Sequence, residues 1–147
     1  MTMKLATATA DAALTSIATL LNTGLLRIYS GTEPATANTA LSGNTLLAEL
    51  TFAGTAFNTT TSDSGGTAGL TTTGSDRVMT AFAIANEDAA LATETATFFR
   101  AVASGGSTTV YQGTVGTSGQ QLNLSATNIV AGGVVSVSAL TISLPLS

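Results

Sequence analysis

Cysteine, histidine and tryptophan are absent from this chain of 147 residues, proline occurs twice, and charged residues make up only 8%. Each absence removes a class of chemistry. Without Cys or His there are no disulfides, no zinc fingers, no haem or common transition-metal sites, and no Cys- or His-based nucleophile–base pairs. Aromatic residues reach 5%, as five Phe and two Tyr, few for the aromatic platforms that sugar sites normally offer. What remains is abundant threonine, roughly a fifth of the chain, with alanine the commonest apolar residue. The hydrophobic share is 44% and the mean hydropathy +0.42. At this length about 70% of the unfolded chain's surface can be buried, so one domain spanning 1–147 builds a core without covalent staples.

Charge narrows the partners. Lys4, Arg27, Arg77 and Arg100 face eight acidic residues, a formal net charge of −4 and a pI near 4.3. Nucleic-acid binding needs clustered cations that displace phosphate counterions, and anionic membrane surfaces make the same demand. Four scattered cations meet neither. The N-terminus carries Lys4 but no apolar run behind it, since Thr7, Thr9 and Asp11 interrupt, so no signal peptide is expected. No stretch of about 18 apolar residues occurs, so no membrane-spanning helix is expected. With so few charges, Thr, Ser, Asn, Gln and Gly must solvate the surface.

Periodicity divides the chain into an N-terminal helix or arm over 1–23 and a β region over 24–147. Leu14, Ile17, Leu20 and Leu21 recur at helical spacing, Asp11 suits an N-cap, and Gly24 suits the position after a C-cap, so a helix is expected from Asp11 to Asn22. Its outer face is Ala and Thr, and it requires an apolar bed. After Gly24 the period becomes two. Leu25–Ser30 reads as a strand with Leu26 and Ile28 on one face, Arg27 and Tyr29 on the other. Residues 31–44 read as a loop. Thr45–Ala53 alternates with Leu46, Ala48, Leu50 and Phe52 inward, and Leu47, Glu49 and Thr51 outward. Residues 54–75 read as a long loop. Strands are expected over Val78–Ala85 and Leu91–Ala103. A turn at Ser104-Gly105-Gly106-Ser107 leads into Thr108–Val115, and Leu122 and Leu124 mark a short strand. After a turn at Gly132-Gly133, Val134–Leu144 forms the last strand, ending at Pro145. Short strands separated by Gly, Ser and Asn turns predict a mainly β fold: an antiparallel β-sandwich or jelly-roll-like barrel with one N-terminal α-helix.

The search for reactive constellations returns little. No Gly-x-Ser-x-Gly elbow occurs, and the sole lysine lies outside any phosphate-loop pattern. Glu33, Glu49, Asp63, Asp76, Glu87, Asp88 and Glu94 supply carboxylates for glycosidase-type pairs, and Asp63, Asp76 or Glu87-Asp88 for a calcium loop, but their spacing matches no such motif and turn placement explains them. No catalytic residue, cofactor or metal is expected. Arg27 and Arg100 sit inside nearly uncharged strands; either an ion pair with Glu49 or Glu94 across strands or a partner-subunit contact satisfies them. Tyr29 and Tyr111 are candidate contact residues on outward strand faces.

The stretch Leu25-Leu26-Arg27-Ile28-Tyr29-Ser30-Gly31-Thr32-Glu33-Pro34-Ala35, with Leu46-Leu47-Ala48-Glu49-Leu50, resembles small virion proteins of tailed bacteriophages. So do Ala96-Thr97-Phe98-Phe99-Arg100, Gly113-Thr114-Val115-Gly116, Leu122-Asn123-Leu124 and the closing Val134–Leu144. The resemblance implies a non-enzymatic structural protein, a head decoration or capsid cement protein. Such a protein binds the major capsid protein at subunit junctions and itself as a dimer or trimer. It is made in the host cytoplasm and lies on the outer capsid surface. Some such proteins are tail or fibre components contacting the host, which stands as an alternative; a carbohydrate-binding β-sandwich is a third reading. The expected interface uses the Ala- and Leu-rich first 21 residues, through Leu14, Ile17 and Leu21, together with Arg27, Tyr29, Arg100 and Tyr111.

Overall fold

A computed structural model describes residues 3–61 and 69–146. Asp63 and the run Gly65-Gly66-Thr67-Ala68, read above as a possible acid ligand and a loop, lie outside the described residues.

The helix α1 runs Thr7–Leu21, four residues longer at its start than the spacing predicts. Ala6 occupies the N-cap position and makes no side-chain cap bond. Asp11 is therefore not a cap: it lies in the second turn, and its carboxylate turns toward the sheet. Ala10, Leu14, Ala18 and Leu21 form the buried stripe, spaced i, i+4, i+8 and i+11 along one helical face. Gly24 is not the left-handed residue at the helix end; Thr23 is, at φ 57°. The glycine is needed for close approach instead, because a Cβ there would stand 2.4 Å from the Val102 carbonyl oxygen.

Ten strands follow: β1 Leu25–Tyr29, β2 Leu46–Thr51, β3 Leu70–Thr73, β4 Asp76–Thr80, β5 Glu94–Thr95, β6 Phe98–Val102, β7 Thr109–Gly116, β8 Leu122–Leu124, β9 Asn128–Ile129 and β10 Val137–Pro145. Eight make one sheet in the order β2-β1-β6-β7-β8-β10-β4-β3, and β5 pairs with β9 in a small second sheet. All pairings are antiparallel except β7 with β8. That exception spans two rungs, Val115 with Leu122 and Gly116 with Asn123, so the short loop 117–121 suffices where a full parallel crossover needs a dozen or more residues. Leu26, Ile28 and Phe99 from one half of the large sheet share a single core with Leu70, Met79, Leu122 and Leu140 from the other half, and Leu14, Ala18 and Leu21 of α1 join it. The fold is mainly β with one N-terminal helix, consistent with the expected sandwich.

Four strand readings change. The strand expected over Val78–Ala85 starts earlier, at Asp76, and ends at Thr80. The stretch 54–75 contains β3, hairpinned to β4 through Gly74 at φ 61°. Within 91–103 the chain splits into β5 and β6, which serve different sheets. Leu47, expected outward, is fully buried. The cause is a register shift: Ile28 pairs with Ala48 but Tyr29 with Leu46, leaving Leu47 as the extra residue of a bulge, which re-aims its side chain into the core. The Ser104–Ser107 turn forms as read, with Gly105 and Gly106 at φ 101° and 77°, backbone angles that glycine adopts without steric cost.

What seats α1 on the sheet is an ion pair as well as apolar contact. Arg77 of β4 is fully buried. Its Nε donates to Asp11 Oδ1 at 2.5 Å and its Nη2 to Oδ2 at 3.2 Å, while Nη1 donates to Thr72 Oγ1 at 3.1 Å. A two-point guanidinium–carboxylate match of this kind fixes orientation as well as charge. Asp11→Asn removes the bidentate carboxylate contact while the guanidinium stays buried. Breaking such a pair costs about 3–5 kcal/mol, and the side-chain exposure of Asp11, 23%, places the loss near the lower bound. Replacing both residues, Asp11→Leu with Arg77→Met, recovers most of that loss. Urea unfolding of the single and double variants measures it; an Asp11→Asn protein as stable as the parent would mean that α1 docks by apolar contact alone.

Candidate functional site: an arginine rung and its cleft

Four side chains line up across one face of the sheet. Glu49 of β2 pairs in register with Arg27 of β1, Arg27 with Arg100 of β6, and Arg100 with Gln112 of β7. Arg27 Nε donates to Glu49 Oε2 at 2.6 Å and Nη1 to the Gly106 carbonyl at 3.0 Å. This is one of the cross-strand ion pairs anticipated from the sequence. Arg100 behaves differently. Its Nη2 donates to the Thr39 carbonyl at 2.6 Å, and Nε and Nη2 share Gln112 Oε1 at 3.3 and 3.2 Å. Gln112 Nε2 in turn donates to the Pro34 carbonyl at 2.6 Å. The rung thus holds the loop 31–44 down over the sheet. Asn44 closes the loop's base by donating to the carbonyls of Ser30 and Thr32.

Beside that loop lies a cleft of about 310 Å³, with Arg100 at its wall and Asn38, Thr39, Ser107, Thr108 and Thr109 around it. A second cleft, about 430 Å³, lies along the same loop by Glu33, Pro34, Ser42 and Asn44. Glu94 forms no ion pair among the described residues. Its two carboxylate oxygens accept from the Ser30 and Thr45 hydroxyls. Among the described residues no group of three metal-ligating side chains is present, and no helix is long and apolar enough to cross a membrane.

The residues expected at an interface are distributed unevenly. Leu14 and Leu21 are fully buried in the chain's own core, so they offer a partner no surface; the helix spends them on its bed. Ile17 is half-buried and packs against that core. Tyr29 is 6% exposed because its ring stacks on Phe98, centroids 5.2 Å apart, and it too leaves the contact list. Arg100 is 7% exposed. Tyr111 meets Phe99 edge-on at 5.5 Å, and its hydroxyl is buried without a hydrogen-bond partner among the described residues. Arg27 keeps partial exposure beside Glu49.

Among the described residues of the first 21, the exposed large apolar side chains are Met3 and Leu20, and further exposed aliphatics lie outside that segment. Leu91, Val130 and Val134 are 58%, 62% and 61% exposed. Backbone hydrogen bonds bring their segments together: Ala90 N–H to the Gly133 carbonyl, Gly132 N–H to the Ala90 carbonyl, and a two-way pair between Glu87 and Val135. Sequence reading missed this cluster. Its visible signal was a valine on each side of the Ala131-Gly132-Gly133 turn, where water-facing residues are the norm. The partners of this rung were illegible because they are remote in sequence: Thr39 lies 61 residues and Gln112 12 residues from Arg100, and Pro34 78 residues from Gln112.

No family model, curated protein or solved structure matches this chain.

Both tyrosines titrate above the ordinary phenol value of 10.0, chiefly because burial disfavours the phenolate. For Tyr29 the nearby guanidinium groups of Arg27 and Arg100 partly offset that rise. The unfolded chain releases these protons near pH 10.0 and the folded chain only higher. Their contribution to stability is therefore complete below pH 10 and falls as pH rises above it, by about 1.4 kcal/mol per unit for each fully coupled group. Thermal melts through the alkaline range, followed with phenolate absorbance, check this; phenolate forming before unfolding would contradict it. Tyr111→Phe removes the unpaired hydroxyl while keeping the ring contact, and is expected to raise stability by about 1 kcal/mol in chemical denaturation.

Proposed function

We propose that this chain is a non-enzymatic structural protein of the virion, a head decoration or cement protein that binds the outer capsid surface at junctions of the major capsid protein. The observation that carries the reading is the set of Leu91, Val130 and Val134, each more than half exposed on segments that backbone hydrogen bonds hold together. Single exposed aliphatics are ordinary, but a local group of them marks a surface made to be covered. The resemblance of Leu25–Ala35, Leu46–Leu50 and the C-terminal strands to phage virion proteins supports the same role.

The charge distribution supports it too. Arg27 and Arg77 are engaged by Glu49 and Asp11, and Arg100 is nearly covered, whereas Asp88 is exposed beside the aliphatic cluster. A partner for this end combines an apolar pocket with basic residues at its rim. Binding that occurs only in the assembled shell stabilises the shell by mass action.

The test is recovery with purified heads in a fixed ratio to the major capsid protein, coupled to heat challenge. Leu91→Asp with Val134→Asp, both at exposed positions, is expected to abolish retention on heads while leaving the melting of the free protein unchanged. Heads stripped of the protein are expected to open at lower temperature than decorated heads. Recovery only with tails, or stripped heads as heat-resistant as decorated ones, would overturn the reading.

A further inference from the structure

A guanidinium that is 7% exposed should have a counter-charge, and Arg100 has none among the described residues. The ion pairs among the described residues are Arg27–Glu49 and Arg77–Asp11. Arg100's protein partners are neutral oxygens, the Gln112 amide and the Thr39 carbonyl, reached through Nε and Nη2. Nη1 donates to no acceptor among the described residues, and the guanidinium borders the 310 Å³ cleft. Burying a charge against neutral acceptors alone leaves much of its lost hydration uncompensated. Around the opening stand Ser107, Thr108, Thr109 and Asn38, side chains able to donate hydrogen bonds to an oxyanion.

We propose that this cleft is a carboxylate-binding site, with Arg100 as the charged anchor and the hydroxyls of the 107–109 segment as secondary donors. The ligand is a single negative charge rather than a phosphate dianion, because no second cation is available at the rung. Arg27, the adjacent position across β1 and β6, is already neutralised by Glu49 at 2.6 Å. The carboxylate belongs either to a small free acid or to an Asp or Glu side chain presented by another chain. The site stands independently of the virion reading, since the cluster of Leu91, Val130 and Val134 takes no part in it.

The test titrates the full chain with sodium acetate, N-acetylglutamate amide and inorganic phosphate, each against sodium chloride at equal ionic strength, following backbone amide shifts by NMR. Either carboxylate is expected to produce saturable shifts at Thr39 and Thr108–Thr109, with chloride producing none. Arg100→Gln is expected to weaken binding about tenfold or more, the size of a lost charge-assisted hydrogen bond. Because that change also loosens loop 31–44, Ala40→Leu provides a second variant, obstructing the cleft from an exposed position while leaving Arg100 in place, and is expected to weaken binding similarly. Tighter binding of N-acetylglutamate amide than of acetate assigns the site to a presented side chain, and the reverse order to a free acid. Chloride-like behaviour of both carboxylates, tighter binding of phosphate, or full affinity in both variants would overturn the proposal.

Discussion

The buried pair between Arg77 and Asp11 is the contact on which the rest of the architecture rests. α1 carries no cap and no charge in its first or last turn, and a helix of that composition is marginal by itself. Its stability comes from its bed, and the bidentate salt bridge decides which rotation of the helix about its axis meets that bed. With Asp11 turned onto β4, Ala10, Leu14, Ala18 and Leu21 face inward together. Small Ala10 and Ala18 are buried with the two leucines, which share the core with Met79 and Leu140. A single carboxylate in the second turn thus orients fifteen residues.

The same economy governs the other cations. A chain with four basic residues places three of them where they organise structure: Arg77 under the helix, Arg27 clamped to Glu49 and the hairpin carbonyl of Gly106, and Arg100 bracing loop 31–44. Arg27 and Arg100 are cross-strand neighbours, and like charges at that distance repel. Glu49 on one flank and the Gln112 and Thr39 oxygens on the other make the juxtaposition tolerable. The outcome is asymmetric, with one guanidinium neutralised and its neighbour merely solvated by dipoles. The residual charge faces a cleft.

Two surface regions are distinctive: the exposed aliphatics of the 87–95 and 128–135 segments, and the arginine cleft beside the 31–44 loop. Both are assembled from stretches remote in sequence and held by backbone or guanidinium hydrogen bonds. That construction suits recognition, because it presents rigid features on loops whose bases are pinned.

The sequence by itself determined what depends on local periodicity and turn chemistry. The helical spacing of Leu14, Leu21 and their neighbours, the alternation in β1, the Gly105-Gly106 hairpin, the short β8 and the terminal β10 all form within a residue or a few of where their patterns place them, because each is decided by neighbours a few positions away. Tertiary structure alone decided where partners from afar are chosen. Asp11 abandoned a cap for Arg77, 66 residues away; Leu47 turned inward when a bulge shifted the β1–β2 register; Tyr29, outward by alternation, was covered by the Phe98 ring; and Arg100 was bound to the Thr39 carbonyl of loop 31–44. A period of two states that residues alternate between faces, but which face is wet depends on what later folds over it, and no local pattern carries that information.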